Sequence, residues 1–550
     1  MLALALALVL APGSDAAPTP LANASFEELD AGGGPVGWRA AAWGRDGADL
    51  ARLCGVAEQD DAPSGERVAR MDLDAPTCTA WAQELKGLEP GQWYEASAMV
   101  RCQDLEGQGC HLNIEYWYGA ISSGCLDAEH LVGTQGWTRQ TLRFLAPGSD
   151  YHCNLSLFQI GGPGIAWFDD VTVRPIAPPE HDLSGRRALD EPLWGMFTCY
   201  ANYLHQYGET MRQAGVHWQR QGLSALAPEQ QAVAEKWGMS FEVCIDGMPP
   251  AADPADPLFP VTCLPDYEAM LAERLEAVGP SIRSFEFFNE PNTHLGWTLP
   301  AYADLIAMAG QTIKAKCPGV LIATGGFAPP GVGYAEACLK RDDGRVIDLV
   351  LLHPYAVDEA LDAALFGLAD ACRRAGRPDV AVAINETGWP TWDPATGCDA
   401  TSLFVSEEVQ ARNIVKLHLQ ALAHRLSFVT LLGWNDFTEP SDHARNMGLV
   451  RVDGSPKPSM EAYRFMTATI GSRRIDDWTY GPDGTRVLRF TGNPPLLVVW
   501  NALREADVAL DVGDGRVFPC DIYGTRLTSA PVTGSITLRA GASPIYLVPA

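Results

Sequence analysis

The sequence predicts a multidomain protein in which an N-terminal β jelly roll and a small C-terminal β-sandwich flank a central (β/α)8 TIM barrel. Three observations predict this fold class. The length of 550 residues is more than one domain needs. Short apolar runs separated by Gly and Pro occupy both ends of the chain. Between them, apolar strand-like runs alternate with longer helical stretches, as in parallel sheets. The predicted boundaries are 1–20 for a signal peptide, then 21–178, 179–470 and 471–550.

The N-terminal segment predicts export. The run Met1–Ala11 is apolar, and Ser14-Asp15-Ala16 follows it as a small-x-small pattern that fits signal-peptide cleavage. The basic residues that usually begin a signal peptide are missing, so an ordinary apolar N-terminal strand is the alternative. No later stretch has the roughly 18 uninterrupted apolar residues that a membrane span needs. We therefore expect a secreted or periplasmic protein without a membrane span.

The segment 21–178 has the pattern of an all-β domain, because Gly- and Pro-rich turns such as Gly33-Gly34-Pro35 separate its short apolar runs. Six of the fourteen cysteines precede residue 178, which favours disulfide bonds without indicating their pairing. Zinc binding is the alternative, but this segment has no C-x-x-C pair and His111 is isolated. The cysteine count therefore predicts disulfides in this domain.

The central segment contains eight candidate strands, each followed by a helical stretch, which is the pattern of a (β/α)8 barrel. The strands begin near Trp194, Val216, Ser240, Arg283, Leu321, Ile347, Val380 and Phe428. After Gly471, short alternating runs such as Arg486–Phe490 and Leu496–Trp500 return without a helical stretch. This last pattern predicts the small β-sandwich.

The charge balance excludes one class of partner. The formal net charge is −28 at pH 7, from 40 Lys and Arg against 68 Asp and Glu. A strongly acidic chain repels phosphate backbones, and no clustered stripe of Lys and Arg reverses that repulsion locally. We therefore expect no nucleic-acid binding. The same charge makes a strongly anionic glycan a less attractive substrate than a neutral one.

Two predicted barrel strands end in a glutamate. The fourth strand, Ser284–Phe288, leads into Asn289-Glu290, and the seventh, Val380–Ile384, leads into Asn385-Glu386. Catalytic groups of this fold lie at the C-terminal ends of the strands. Glycoside hydrolysis needs such a pair, because one carboxyl protonates the departing oxygen while the other attacks the anomeric carbon. The alternative is that both are rim charges in surface salt bridges.

At these residues the sequence resembles clan A of the retaining glycoside hydrolases. The resemblance implies that Glu290 is the acid/base, that Glu386 is the nucleophile, and that Asn289 contacts the sugar 2-hydroxyl. Further strand ends also match the clan. The residues concerned, which the resemblance assigns to the substrate site, are Arg220 on strand two, His353 and Tyr355 after strand six and Trp434 after strand eight. Trp389 after strand seven is a further candidate, because an indole face at a strand end can stack on a sugar ring. The resemblance implies no catalytic cofactor.

The resemblance does not single out one family of the clan. The closing stretch Gly448–Pro458 is similar to that of families 5 and 39, whereas Glu386–Pro390 is similar to the nucleophile motif of family 17. Several clan families carry a histidine at the end of strand three, but the run Phe241–Gly247 has none. Two roles therefore stay open for Asp246 at this strand end, which either contacts the substrate or caps the next turn.

The N-terminal segment resembles carbohydrate-binding modules of the family 4, 9 and 22 type. It opens with Asn23-Ala24-Ser25-Phe26-Glu27 and closes with Trp167-Phe168-Asp169-Asp170. Such modules often hold a structural calcium ion, and the resemblance implies Glu27, Asp169 and Asp170 as its ligands. The module either binds glycan or has lost binding and acts as a spacer.

The favoured hypothesis is a secreted retaining glycoside hydrolase that cleaves a neutral polysaccharide or oligosaccharide by double displacement with two glutamates. The alternative is a non-catalytic glycan-binding protein on a degenerate barrel, but both carboxylates and their neighbours are still present. A metal-dependent hydrolase or lyase is a third class, and it lacks His or Asp ligands at a recognisable spacing. The sequence does not predict the sugar, the linkage or the oligomeric state.

Overall fold

The computed structural model describes residues 20–43, 50–118, 121–148, 150–180, 182–187, 189–198, 202–245, 264–294, 297–328, 331–391, 405–436 and 446–550. The predicted signal peptide lies outside the described residues except for Pro20. A closed barrel of eight parallel strands accompanied by antiparallel sheets confirms the predicted fold class in these terms.

The N-terminal domain consists of antiparallel strands around one very long strand. Its elements are β1 (Arg39–Trp43), α1 (Leu50–Leu53), β2 (Cys54–Glu58), β3 (Arg67–Leu73), β4 (Thr77–Glu84), β5 (Trp93–Tyr118), β6 (Ile121–Asp127), β7 (Leu131–Leu145), β8 (His152–Gly161) and β9 (Gly164–Ile176). The first half of β5 pairs with β7 and β9, and its second half pairs with β6 and β8. The sheets β2-β3-β9-β5-β7 and β1-β4-β8-β5-β6 therefore share this strand.

Side-chain alternation explains why β5 can belong to both sheets. In its first half, Ala96, Ala98 and Val100 are fully buried on one face. In its second half, Leu112 and Ile114 are likewise fully buried on one face. Residues two apart on a strand lie on the same face, so each half contributes an apolar face to the core. The register of β5 with β7 shifts between these halves, which lets the strand change direction.

The eleven described cysteines all carry free thiols, and most of them are buried. The disulfides that the cysteine count predicts are therefore not confirmed. Burial offers another role for these residues, because a buried free cysteine packs as a small apolar side chain. Desolvation raises the pKa of the Cys54 thiol to about 12, which keeps it in the unreactive protonated form.

The barrel strands occur in the predicted number and order, and each begins within two residues of its predicted start. They are β10 (Trp194–Phe197), β11 (Trp218–Gln221), β12 (Ser240–Ile245), β13 (Ile282–Phe287), β14 (Leu321–Phe327), β15 (Leu349–Leu352), β16 (Ala381–Ile384) and β17 (Val429–Leu432). Neighbouring strands pair in parallel, and β17 closes the barrel against β10. The C-terminal ends of all eight strands therefore meet at one face.

Helices follow the strands as the alternation predicts. They are α2 (Asn202–Gln213), α3 (Pro228–Trp237), α4 (Leu264–Arg274), α5 (Leu299–Lys316), α6 (Val332–Arg341), α7 (Asp358–Arg374), α8 (Glu407–Ala423) and α9 (Pro458–Ile470). Two begin at side-chain caps, since Thr298 accepts from Ala301 N and Ser406 accepts from Val409 N. None of the described helices is long and apolar enough to cross a membrane.

The C-terminal segment forms a five-stranded and a two-stranded antiparallel sheet. Its strands are β18 (Ile475–Tyr480), β19 (Thr485–Phe490), β20 (Leu496–Asn501), β21 (Ala506–Asp511), β22 (Val517–Cys520), β23 (Ser535–Ala540) and β24 (Ile545–Pro549). The larger sheet has the order β18-β19-β20-β24-β22, and β21 pairs with β23. Apolar residues of both sheets, including Val499 and Leu510, form one cluster. The two sheets therefore pack as layers, as the sandwich pattern predicts.

A buried arginine joins the C-terminal sheet to the barrel. The Arg486 guanidinium donates to Asp362 Oδ2 at 2.9 Å and lies 3.4 Å from Glu359 Oε1, both on α7. Trp500 Nε1 also donates to Asp358 Oδ1 at 3.2 Å. Because a buried charge needs a partner, these pairs specify how the sheet sits on α7.

The N-terminal domain contacts the barrel loops that follow strands β13 and β14. The buried Gln108 donates to the His294 carbonyl at 2.8 Å, and Asp127 Oδ2 accepts from Tyr334 N at 3.1 Å. At Gly333 a Cβ atom would lie 1.7 Å from the Ala128 carbonyl oxygen, so only glycine permits this backbone approach. The N-terminal domain therefore borders the face of the barrel where the strands end.

Candidate active site

Glu290 and Glu386 lie at the C-terminal ends of β13 and β16, on the same face of the barrel. The chain after β13 turns sharply, because Phe288 and Glu290 have φ values of 62° and 48°. Non-glycine residues in this region store strain and persist only where neighbours hold them, and such strain is concentrated at functional sites. Here the Glu290 amide donates to the Gly326 carbonyl at 3.1 Å, which fixes the turn.

The two predicted catalytic carboxylates are neighbours. One oxygen of Glu290, one oxygen of Glu386 and a ring nitrogen of His353 all lie within 4.8 Å of one another. The side chains of Glu290 and Glu386 are 26% and 12% exposed, so a substrate can reach both. Three such donors could hold a metal ion, but the positive charge of Arg220 already faces Glu386. The arrangement therefore suits two carboxyls that act on one bond.

Glu386 has two strong hydrogen-bond donors. Tyr355 donates its hydroxyl to Glu386 Oε1 at 2.6 Å, and the Arg220 guanidinium donates to Oε2 at 2.5 Å. Burial and the negative charge of Glu386 raise the pKa of Tyr355 well above its usual value, so the phenol keeps its proton. The two hydrogen bonds therefore hold the Glu386 carboxyl in one orientation.

Glu290 has a different neighbour. His353 Nδ1 lies 2.9 Å from Glu290 Oε1, and the imidazole is fully buried behind that carboxyl. Gly326 makes room for the ring, because a Cβ there would lie 2.0 Å from His353 Nε2. The structure therefore places His353 against Glu290 rather than at an open surface.

Arg220 connects Glu386 to Glu286 and Asn289. Its Nε and one terminal nitrogen donate to the two oxygens of Glu286 at 2.7 and 2.9 Å, and the same terminal nitrogen donates to Asn289 Oδ1 at 2.7 Å. The arginine is 1% exposed, so it contacts carboxylates and an amide rather than solvent. This bidentate pairing holds the guanidinium rigidly beside Glu386.

Two buried glutamates below Arg220 belong to the site although the sequence did not predict them as site residues. Glu286 on β13 and Glu242 on β12 are both fully buried. Burial alone would raise the pKa of Glu286, but Arg220 outweighs it and lowers that pKa to about 2. Burial and the charge of Glu286 instead raise the pKa of Glu242 well above its usual value. The signal was present in the sequence, since the tripeptide Ser-Phe-Glu occurs inside both strands, where a charge is costly.

Trp389 and Trp434, the predicted sugar-stacking residues, also lie at this face. Trp389 is 8% exposed and Trp434 is 1% exposed, so both indole rings are largely covered. Gln410 donates to the Trp389 carbonyl at 2.9 Å, which fixes the backbone that follows Glu386. A sugar-stacking role for either ring stays a prediction.

The predicted calcium ligands are divided between two settings. Glu27 Oε1 accepts from the amides of Glu66 and Arg67, both at 2.8 Å, and Asp169 Oδ2 accepts from Ser64 N at 2.8 Å. Burial raises the pKa of Asp169 to about 6, and the nearby charges of Asp170 and Glu27 add to this effect. Asp170 pairs with Arg139, and Glu27 Oε2 lies 3.6 Å from Arg67 Nη1. Of the three carboxylates, Asp169 alone has no ion pair among the described residues.

Calcium binding at Glu27 and Asp169 stays a prediction and has a direct test. We expect calcium to raise the Tm of the protein by about 2 to 5 °C over its value in EDTA, because a ligand that binds only the folded state stabilises it. Differential scanning fluorimetry measures the shift, and magnesium serves as the ionic-strength control. The Glu27→Gln variant should lose the shift, and equal Tm values in calcium and EDTA would contradict the prediction.

Known proteins resemble this chain in fold at low sequence identity. No family model matches this chain, and no curated protein matches it. Among solved structures, a family 39 glycoside hydrolase from the gut symbiont Bacteroides cellulosilyticus WH2 matches 87% of this chain and 98% of its own, with 17% identity and a TM-score of 0.52. At this identity the likeness establishes a shared fold and no more.

Two further solved structures are more distant. Bacteroides uniformis beta-glucuronidase 2 matches 88% of this chain and 57% of its own, with 13% identity and a TM-score of 0.41. The CBM22-1-GH10 modules of the Clostridium thermocellum endo-1,4-beta-D-xylanase 10B match 82% of this chain and 97% of their own, with 13% identity and a TM-score of 0.34. These structural neighbours are glycoside hydrolases.

Proposed function

We propose that this protein is a retaining glycoside hydrolase in which Glu386 is the nucleophile and Glu290 is the acid/base. The observation that carries the proposal is the spacing of the two carboxylates, since one oxygen of Glu290 lies within 4.8 Å of one oxygen of Glu386. Retaining enzymes hold their carboxyls roughly 5 to 5.5 Å apart, whereas inverting enzymes leave roughly 6.5 to 9.5 Å for a water molecule. The spacing therefore favours direct attack by a carboxylate.

In the first step, Glu386 attacks the anomeric carbon while Glu290 donates its proton to the departing glycosidic oxygen. The bond from the anomeric carbon to that oxygen breaks, and a glycosyl ester to Glu386 forms. Tyr355 and Arg220 hold the Glu386 carboxyl in position for this attack through their hydrogen bonds. His353, in contact with Glu290, orients the acid toward the leaving group.

In the second step, Glu290 acts as a base. It accepts a proton from a water molecule as that water attacks the anomeric carbon, and the ester to Glu386 breaks. The proton that Glu290 gave to the leaving group is thereby restored. Two inversions at the same carbon give net retention of configuration.

Asn289 is positioned to bind the sugar next to the reacting carbon. Because its Oδ1 accepts from Arg220 at 2.7 Å, the Nδ2 group is the one left to donate to a sugar hydroxyl. A donor here gains strength as charge develops on the 2-hydroxyl in the transition state.

The substrate that we propose is a neutral polysaccharide or its oligosaccharides. The net charge of −28 disfavours a strongly anionic glycan approaching from solution. The predicted signal peptide further supports action outside the cytoplasm on such a polymer. The alternative, a glycan-binding protein without activity, is disfavoured because both carboxylates keep hydrogen-bonded partners and accessible side chains.

The test of this proposal is the stereochemistry of the first product. We expect a panel of neutral polysaccharides and aryl glycosides to include a substrate, and its initial hydrolysis product to keep the anomeric configuration of the scissile bond. Proton NMR recorded before mutarotation measures that configuration. A product of inverted configuration would contradict the proposed nucleophile. Binding of glycans in affinity electrophoresis without release of any reducing sugar would support the non-catalytic alternative.

A further inference from the structure

Below the proposed catalytic pair lies a second pair of glutamates that the mechanism does not use. Glu242 on β12 and Glu286 on β13 are both fully buried, and their Oε2 atoms lie 3.9 and 2.7 Å from the same atom, Arg220 Nε. Two buried carboxyls beside one guanidinium repel each other when both are ionised, so ionisation of one disfavours ionisation of the other. This geometry favours a state in which one of the two carboxyls keeps its proton.

The donors around the pair indicate which carboxyl is ionised. Glu286 Oε1 accepts from Gly326 N and from Arg220, both at 2.9 Å, and Glu286 Oε2 accepts from Arg220 Nε at 2.7 Å. Glu242 Oε2 lies 3.9 Å from Arg220 Nε, which is beyond hydrogen-bond range. An ionised carboxylate is favoured where hydrogen bonds converge on it. Glu286 has those hydrogen bonds, whereas the donor that the described residues offer to Glu242 is Asn385 Nδ2, at the longer distances of 3.3 and 3.4 Å.

The remaining contact of Glu242 is compatible with a neutral acid. Asn385 Nδ2 lies 3.3 Å from Glu242 Oε1, so the carbonyl oxygen of a protonated carboxyl can accept there while the hydroxyl donates to Glu286. Burial and the adjacent charge of Glu286 both raise the pKa of Glu242, in agreement with this assignment. The titratable or charged groups that face the pair are Arg220, Cys244, His353 and Glu386.

We propose that Glu242 holds a proton permanently in the folded protein and donates it to Glu286, and that this pair positions Arg220 against the nucleophile Glu386. One positive charge then faces two negative charges instead of three. Glu242 is thus a positioning residue that acts through Glu286 and Arg220. In its kinetic consequences the inference rests on the proposed glycosidase activity, whereas the proton itself can be tested without a substrate.

The first experiment measures the proton through stability. A carboxyl that stays protonated in the folded state but ionises when unfolded destabilises the folded state increasingly as pH rises above its unfolded pKa, roughly 4.3. The Glu242→Gln variant keeps the hydrogen bonds and has no proton to lose. We expect the Tm of Glu242→Gln minus that of the wild type to increase steadily from pH 5 to pH 8. A difference that does not change with pH would overturn the proposal.

The second experiment measures positioning through kinetics, with Glu242→Gln and Glu242→Met as a matched pair. Gln can donate an N–H to Glu286 and accept from Asn385, whereas Met has a similar length and can do neither. We expect kcat/KM of the Met variant to fall about 10-fold or more and the Gln variant to restore most of that loss. Circular dichroism verifies that each variant is folded. Equal losses in both variants would overturn the positioning role.

The stability and kinetic experiments test the buried proton and the proposed activity separately. Absence of activity in every protein, together with the expected Tm trend, would contradict the glycosidase and leave the buried proton supported.

Discussion

The Glu386→Gln variant is expected to lose about four orders of magnitude or more in kcat on any glycoside that the wild type hydrolyses. Gln is nearly isosteric with Glu, so the contacts with Tyr355 and Arg220 can be largely kept, but its amide is a very poor nucleophile. Removal of the attacking group from a covalent mechanism costs on the order of 10⁴- to 10⁶-fold. Release of reducing sugar or of an aryl leaving group, with the protein at high concentration, measures the loss.

The control for this result is the partner carboxyl. Glu290→Ala should lose most of its activity on natural glycosides and much less on aryl glycosides, because a good leaving group needs little protonation. Glu386→Gln should be impaired on both substrate types. A Glu386→Gln protein as active as the wild type would exclude Glu386 as the nucleophile. If Glu386→Gln were impaired mainly on natural glycosides and Glu290→Ala on both substrate types, the roles of Glu290 and Glu386 would be exchanged.

The Arg220→Met variant is expected to destabilise the folded protein by about 3 to 5 kcal/mol. Loss of one partner from a buried ion pair leaves charge without compensation, and Arg220 pairs with both Glu286 and Glu386. Urea unfolding followed by tryptophan fluorescence measures the change. The variant should also lose most of its activity, because Glu386 loses a hydrogen-bond donor that holds its carboxyl in position.

A second buried arginine provides the matched control. Arg486→Met removes a guanidinium that pairs with Glu359 and Asp362 on α7 rather than with Glu290 or Glu386, so it should destabilise the protein while folded molecules keep their kcat. The pH dependence separates the two sites further. Arg220 lowers the pKa of Glu286 to about 2, so the wild type gains stability from this pair above pH 4.5 and loses it as pH falls toward 2. Arg220→Met should show a weaker loss over that range, and an unchanged pH dependence would contradict the pairing.

The barrel and its catalytic ends could be predicted from the sequence because both depend on local patterns. A strand such as Ala381–Ile384 is apolar at every position, since both of its faces are buried in a parallel barrel. A glutamate at the end of such a run is unexpected, and both Glu290 and Glu386 follow a predicted strand after one asparagine. Their proximity follows from strand order alone, because the strand ends meet at one face.

The polar network below the site could not be predicted, because it depends on contacts between strands that are distant in sequence. Glu242 and Glu286 lie on different strands with α4 between them in the sequence, and only the register of β12 beside β13 brings them together. The protonation of Glu242 depends on whether Arg220 reaches it, which is a difference of about an ångström. Side-chain geometry at that scale has no signature in a one-dimensional pattern.

The contact between Gln108 and the His294 carbonyl has a consequence for how this architecture can evolve. His294 Nε2 lies 3.3 Å from the carbonyl of Asn289, the residue before the acid/base, so the N-terminal domain supports the catalytic loop through one intermediate residue. Modules joined only by a linker can be exchanged between genes without loss of activity. Here an exchange would remove a support of the loop, so the domain and the barrel must be inherited and diversify together.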